Sequence, residues 1–428
     1  MRALLIACCL AAFASPTLAQ DYHLQTNAAA ELQQICTADA GQLWRTSLCG
    51  PLIVVDLGTR QVWATQRDDQ NLLALTPDGG WVGILPDGVP VANSTVEWAG
   101  VRWIMVLGPL PEDANQRRAL VMHEAWHRIQ DSIGLPMQSA NAPHLETERG
   151  RYLLRLELRA LATAMLSNGR AQRDAAKDAV AFRMARLEAF PDAASSESGL
   201  DRNEGLAAYT GVRLGAGDQG HLFAARTLTD ADRHQAFARA YAYASGPAYG
   251  LLLDEYVADW RSSLAAWAPA DLLVSPLRVR PLSNRNLRRR AERYGGPQIA
   301  AEEQARAEAR RQLIAGLHAR FSGPRLELPL RQTQIEFDPN RITPVEGLGD
   351  VYQIITLRDA WGEFRANDGA LISPDFTKLT AAQPDQAGLS GPGWRLTLAS
   401  GYRISAPDPT GVVRPEFAPS PPAPAPDN

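Results

Sequence analysis

Lysine and cysteine are scarce in this sequence of 428 residues. Only Lys177 and Lys378 are lysines, so arginine supplies nearly all of the positive charge, and the formal net charge is −4. A chain this close to neutrality has no overall positive field that would attract nucleic acid or an anionic membrane. Four cysteines are too few for a scaffold built from disulfides. Hydrophobic residues make up 45%, which is typical of a globular protein and excludes a mostly disordered chain.

Several functional signatures are also missing. The sequence contains no phosphate-binding loop, no dinucleotide-binding glycine pattern and no internal repeat. Beyond the N-terminal segment, no uninterrupted apolar run reaches the roughly 18 residues of a membrane span, so we expect no membrane anchor. The basic stretch 278–293 lacks interleaved aromatic residues, and we therefore expect no nucleic-acid partner.

The first 19 residues are typical of a secretory signal peptide. A short basic start precedes an apolar run from Ala3 to Ala14, and small residues precede a cut after Ala19. We therefore expect a secreted protein, which would be periplasmic in a Gram-negative source. Since such compartments are oxidising, Cys36 and Cys49 are predicted to form a disulfide bond.

The order of patterns along the chain predicts an α+β fold. Short apolar runs between turn residues indicate a β-rich part over residues 20–110. Helical periodicity then dominates residues 111–320, and strand patterns return over residues 321–408. The Pro-rich composition near the end predicts a disordered tail over residues 409–428.

One motif carries a specific chemistry. His123-Glu124-Ala125-Trp126-His127 is an H-E-x-x-H sequence in a predicted helix that begins after Asp113 and ends before Gly134. Residues four apart lie on the same helical face, so both imidazoles can bind one zinc ion. Glu124 can then accept a proton from a metal-bound water. The predicted cofactor is zinc, with Glu124 as the catalytic base.

A catalytic zinc site needs a third protein ligand. Spacing alone leaves four candidates downstream, which are Glu146, Glu148, Glu157 and Glu204. Glu157 is a particular alternative because it lies on a long predicted helix that can pack antiparallel to the helix carrying the motif.

The segment Asn203-Glu204-Gly205-Leu206-Ala207 resembles the Asn-Glu-Gly-Phe/Leu-Ala segment of gluzincin metallopeptidases of the aminopeptidase N type. The resemblance implies that Glu204 is the third zinc ligand. It also implies a helical insertion over about residues 138–200, because 77 residues separate His127 from Glu204 here, against about 18 in that family.

A second segment, Tyr243-Ala244-Ser245-Gly246, resembles the Tyr-x-Lys-Gly segment of the same family. The resemblance implies that Tyr243 donates a hydrogen bond to the oxyanion, although Tyr241 and Tyr249 are neighbours that can take this role. It further implies that the strand at 101–107 is the sheet edge that pairs with an extended substrate. The family's motif for gripping a free amino terminus is missing, which leaves endopeptidase and exopeptidase action open.

These patterns predict a secreted zinc metallopeptidase that acts on a peptide or protein substrate. Two alternatives remain open at this point. One is a non-catalytic binding or interaction protein of the cell envelope on a peptidase-like scaffold, and the other is a hydrolase of non-peptide amides. The presence of Glu124 favours an enzyme, since a binding scaffold does not need a general base beside two zinc ligands.

Overall fold

The computed structural model describes residues 22–77, 79–138, 140–234, 236–266, 268–338 and 341–418. It confirms the α+β class. The chain divides into two compact units, residues 1–303 and residues 304–428. The predicted signal peptide and residues 419–428 of the predicted tail lie outside the described residues.

The first unit begins with a helix, α1 (His23–Asp39), inside the segment 20–110 predicted to be β-rich. Cys36, in the last turn of α1, is joined to Cys49 by a disulfide bond, the pairing expected from the sequence. Six strands follow: β1 (Leu52–Asp56), β2 (Gln61–Ala64), β3 (Ala74–Leu75), β4 (Trp81–Ile84), β5 (Ser94–Trp98) and β6 (Val101–Gly108).

These strands form one sheet in the order β3-β4-β2-β1-β6-β5. Strands β1 and β6 run parallel, whereas the other neighbouring pairs are antiparallel. The prediction that the strand at 101–107 is a sheet edge is wrong, because β6 pairs with β1 on one side and with β5 on the other. On this side of the sheet the edge strand is β5, which is mostly half-buried, whereas most of β6 is fully buried.

Helices make up the rest of this unit. They are α2 (Ala114–Gln130), α3 (Glu148–Met165), α4 (Gly169–Ala189), α5 (Ala194–Leu200), α6 (Leu206–Thr210), α7 (Gly220–Ala231), α8 (Tyr241–Tyr256), α9 (Asn284–Ala291) and the start of α10 (Gly296–Ser322), whose residues from Gln304 onward belong to the second unit. Two π-helical turns, Asp201–Gly205 and Gly211–Ala216, flank α6 and make residues 201–216 one continuous helical segment. Within the described residues, none of these helices has the length and apolar character needed to cross a membrane.

The second unit is built mainly from short strands. They are β7 (Arg325–Pro329), β8 (Gln334–Phe337), β9 (Ile342–Val345), β10 (Gly349–Tyr352), β11 (Ile355–Asp359), β12 (Gly362–Ala366), β13 (Ala370–Ile372), β14 (Lys378–Ala382), β15 (Ser390–Gly391), β16 (Trp394–Leu398), β17 (Tyr402–Ile404), β18 (Val412–Val413) and β19 (Pro415–Phe417). They form a six-stranded sheet, β18-β7-β14-β13-β10-β9, a five-stranded sheet, β15-β16-β12-β11-β8, and the pair β17-β19.

Both predicted boundaries of this C-terminal unit need correction. It begins at Gln304 and not at 321, because Phe321 of α10 belongs to a small core with Val345 and Val351. The predicted tail starts too early, since β18 pairs with β7 and its two valines are buried. Burial of apolar β-branched side chains gains more free energy than burial of the flanking polar residues costs. The sheet therefore extends into the segment assigned to the tail.

Candidate metal centre

Helix α2 presents both histidines of the motif on one face. The Asp113 side chain caps the helix by accepting a hydrogen bond from the backbone N–H of Gln116. His127 follows His123 by four positions, about one helical turn, so both rings lie on the same face of the helix and their Nε2 atoms are 3.1 Å apart. The two imidazoles therefore point at a common position.

Glu204 completes this cluster from the π-helical turn before α6. Its Oε2 atom lies 3.4 Å from His123 Nε2 and 3.5 Å from His127 Nε2. Ligand atoms bound tetrahedrally at the bond lengths usual for zinc lie about 3.3–3.4 Å apart, close to the edges of this triangle. The Glu204 Oε2 atom is buried and has no hydrogen-bond partner among the described residues. His123, His127 and Glu204 thus form a group that could hold a metal ion, and these three residues are called the metal-binding group below.

A chain of hydrogen bonds joins two of these ligands behind the site. His127 Nδ1 lies 2.9 Å from Gln130 Oε1, Gln130 Nε2 donates to Asn203 Oδ1, and Asn203 Nδ2 donates to Glu204 Oε1. Since an amide oxygen only accepts, His127 carries its proton on Nδ1 and presents the Nε2 lone pair to the metal position. Sequence reasoning missed Gln130, and the one signal for it was its place one turn after His127.

Glycines allow the helices that carry the site to approach each other closely. A Cβ atom on Gly246 of α8 would lie 2.3 Å from the Cα atom of Gly205. A Cβ atom on Gly211 would lie 2.3 Å from the carbonyl oxygen of Ala119 on α2. Because any larger residue at these positions would push the backbones apart, the glycines set the distance between Glu204 and the two histidines.

Glu124 lies beside this cluster and is almost fully buried, with 2% of the residue exposed. Its Oε1 atom is 3.9 Å from His123 Nε2. Its Oε2 atom has no hydrogen-bond partner within the part of the chain that the structure describes. Burial raises the pKa of this carboxyl group, while the nearby histidines oppose the shift. The Glu124 carboxylate therefore lies beside the three clustered residues with one buried oxygen that has no partner in the described part of the chain.

Tyr243 is the tyrosine that reaches the cluster. It stacks on His123, with ring centroids 5.4 Å apart and an interplanar angle of 7°, and 44% of the residue is exposed. Burial of the hydroxyl and the nearby Glu204 carboxylate raise the pKa of Tyr243. The two alternatives lie elsewhere, because the Tyr241 hydroxyl donates to Asp201 and the Tyr249 hydroxyl donates to Glu157.

Glu157, the alternative third ligand, does not join the site. It is fully buried between α3 and α4, where Arg186 and the Tyr249 hydroxyl donate to its two oxygens. Arg186 also pairs with Glu197. Two positive arginines of α4, Arg183 and Arg186, therefore neutralise the carboxylates of this cluster, so Glu157 has a structural partner and not a metal. Of the other two candidates, Glu146 accepts hydrogen bonds from backbone N–H groups and Glu148 is exposed at the start of α3.

A cavity of about 510 Å³ opens onto the cluster. Besides the metal-binding group, Glu124 and Tyr243, it is lined by apolar side chains that include Leu120, Val212 and Phe223, and by Asn93 and Ser94 at the start of β5. A larger cleft of about 730 Å³ contains none of the three clustered ligands. There Asp254 pairs with Arg213 and Arg261, so these charges are partly neutralised within the protein.

Comparisons of this chain with models of protein families, with curated proteins and with solved structures find no match.

Proposed function

We propose that this protein is a zinc-dependent peptidase that hydrolyses peptide bonds with a metal-activated water. One observation carries the proposal, namely the near-equilateral triangle of His123 Nε2, His127 Nε2 and Glu204 Oε2, with Glu124 beside it. Two imidazoles and one carboxylate are a donor set of catalytic zinc, and three protein ligands leave a position for water. The likeness of these segments to the gluzincins supports the same assignment.

The roles of the protein's own residues follow from their positions. When bound, zinc would lower the pKa of a water molecule and polarise a carbonyl group. The Glu124 carboxylate, whose Oε1 atom lies 3.9 Å from His123 Nε2, accepts the proton of the attacking water and delivers it to the leaving amine. The Tyr243 hydroxyl donates a hydrogen bond to the oxyanion that develops on the substrate carbonyl.

The edge strand β5 offers a place for the substrate backbone. Its first residue, Ser94, and the preceding Asn93 line the cavity, and among the described strands β5 pairs only with β6. An extended peptide can therefore add to its free edge through main-chain hydrogen bonds. We propose the same role for β5 that the sequence resemblance assigned to β6.

We also propose that the protein works outside the cytoplasm. The signal-like pattern of residues 1–19 supports this location, and so does the disulfide between Cys36 and Cys49, since disulfides persist in oxidising compartments.

The test combines metal analysis with a peptide digest. The wild type, Glu124→Gln and Glu148→Gln are purified without added chelator, and zinc and cleavage products are measured by mass spectrometry. Glu148 serves as the matched control because it is exposed at the start of α3.

We expect about one zinc per chain in all three proteins, and cleavage by the wild type and Glu148→Gln alone. A wild type that binds no zinc, or a Glu124→Gln variant that cleaves as fast as the wild type, would contradict the proposal. If the zinc-bound wild type hydrolyses only non-peptide amides, the protein is a hydrolase of that class of substrate and not a peptidase.

A further inference from the structure

Resting on the proposed function, we propose that the protein is an endopeptidase whose cleavage site is selected by an apolar side chain. That side chain enters a recess, here called the apolar recess, formed by Leu120, Ala208, Val212 and Phe223 beside the metal-binding group.

The apolar recess is continuous with the helical faces that carry the ligands. Leu120 precedes His123 by one turn of α2, and Ala208 and Val212 follow Glu204 at intervals of four residues. Phe223 is contributed by α7. Side chains three or four residues apart on a helix are about 5–6 Å apart, so the recess begins within one side-chain length of the scissile position.

The chemistry of the recess favours a hydrocarbon side chain. Val212 is almost fully buried, Leu120 and Phe223 are half-buried, and Thr227 is the polar residue that α7 adds to the wall. The described residues of the cavity wall include no arginine and no lysine, and their only carboxylates are Glu124 and Glu204. An apolar side chain gains free energy by leaving water here, whereas a charged one would lose its hydration without gaining a partner.

The same lack of charge argues against action at a chain end. An exopeptidase must bind a charged terminus, which requires a carboxylate for an ammonium group or a cation for a carboxylate. Along the described wall of the cavity no such group is left over, because Glu204 belongs to the metal-binding group and Glu124 is the proposed base. The free edge of β5 extends from Ser94 at the cavity to Trp98 and can hold the peptide backbone over several residues. The substrate position is therefore suited to an internal bond.

Two substitutions change the recess in opposite ways. Ala208→Phe fills it, so we expect the preference to move to small side chains. Thr227→Asp adds a negative charge to its wall, so we expect cleavage beside Lys or Arg to rise at least tenfold relative to Leu or Phe. Thr229→Asp is the matched control, because Thr229 lies on the same helix but is exposed.

The experiment digests a mixture of peptides with acetylated amino and amidated carboxyl ends and, in parallel, the same peptides with free ends. The cut sites are mapped by mass spectrometry. We expect cleavage of these blocked peptides at internal bonds, with Leu, Ile, Val, Met or Phe enriched at one fixed position beside the cut. Thr229→Asp should keep the wild-type preference.

A second measurement uses zinc-loaded Glu124→Gln, which should bind substrate without turning it over. A blocked peptide with Phe at the selected position should bind at least ten times more tightly than the same peptide with Asp. Cleavage that is restricted to free chain ends, or that shows no apolar preference, would overturn this inference and leave the proposed peptidase function standing. No cleavage of any peptide by the zinc-loaded wild type would overturn the proposed function and this inference together.

Discussion

Gln130 Nε2 donates a hydrogen bond of 2.9 Å to Asn203 Oδ1, although 73 positions separate the two residues in the chain. Both side chains are buried, and each also contacts a member of the metal-binding group, His127 or Glu204. A buried amide pair of this kind restricts the rotamers of both ligands at once, because rotation of either would leave a buried polar atom without a partner. The two helical segments that supply the ligands are therefore coupled through Gln130 and Asn203.

Replacing Gln130 should weaken the metal site without removing a ligand. We expect Gln130→Ala to lower the zinc affinity by about 10- to 100-fold, because His127 loses the group that orients its ring. Zinc affinity is measured by competition with a chromogenic chelator. Gln116→Ala is the control, since Gln116 lines the same cavity on α2 but is exposed. Equal zinc affinity in the two variants would show that packing alone orients His127.

Glu204 and Glu157 should behave differently when they are substituted. We expect Glu204→Ala to lose zinc during dialysis, because it removes one of the three clustered ligands. Glu157→Gln should keep its zinc but become less stable by on the order of 3 kcal/mol, since Arg186 loses a charged partner in the interior. Metal analysis and urea unfolding separate the two effects. Zinc loss in Glu157→Gln together with normal zinc content in Glu204→Ala would reverse the ligand assignment.

The hydroxyl group of Tyr243 should affect turnover and not metal binding. We expect Tyr243→Phe to lower kcat by about 100-fold, with little change in KM or zinc content, because the lost hydrogen bond acts mainly in the transition state. Tyr256→Phe is a control on the same helix, since the Tyr256 hydroxyl donates to Gln172. An unchanged kcat in Tyr243→Phe would mean that the hydroxyl has no role in turnover and that Tyr243 contributes only its stacking contact with His123.

Arg186 should be essential for the stability of helices α3, α4 and α5. It is fully buried, and Arg186→Met would remove one of the two arginines that pair with Glu157 and Glu197. We expect the free energy of unfolding to fall by about 3–5 kcal/mol, whereas Arg170→Met, at an exposed position, should change it by less than about 0.5 kcal/mol. If the free energy of unfolding falls by less than about 1 kcal/mol in Arg186→Met, the carboxylates of Glu157 and Glu197 adjust by taking up protons or water.

Asp201 should make stability depend on pH. Burial raises the pKa of Asp201 to about 6, with Arg183 opposing the shift. Since the folded state then holds the proton more tightly than the unfolded state, stability contributed by the protonated form is present below about pH 4 and is lost as the pH rises to about 6. The loss is on the order of 3 kcal/mol.

This contribution is measured as the difference in unfolding free energy between the wild type and Asp201→Asn from pH 4 to 7, with chelator present. This difference should change with pH in that interval. For Asp218→Asn, at an exposed position, the unfolding free energy should follow the same pH dependence as in the wild type. A constant difference between the wild type and Asp201→Asn would contradict the raised pKa.

Local patterns were sufficient to predict part of the metal centre. The cap at Asp113 and the spacing of His123 and His127 depend on contacts within one helix, so periodicity alone places both rings on one face. The likeness of the segment around Glu204 to a gluzincin motif selected the carboxylate that the structure brings to these rings. The Gln130–Asn203 contact could not be predicted, because neither residue has a sequence pattern that requires the other.

By itself, the sequence determined the fold class, the helix with its two histidines and the disulfide between Cys36 and Cys49. The resemblance favoured Glu204, but only the tertiary structure brings Glu204 to those histidines and gives Glu157 a buried arginine partner instead, since these contacts join distant parts of the chain. It also decided that β5 and not β6 is the edge strand, because the order of strands depends on which backbones share hydrogen bonds. In both cases the contacts that decide the outcome, ion pairs for the glutamates and backbone hydrogen bonds for the strands, are made with residues that are distant in the sequence. A local sequence pattern does not contain these neighbours.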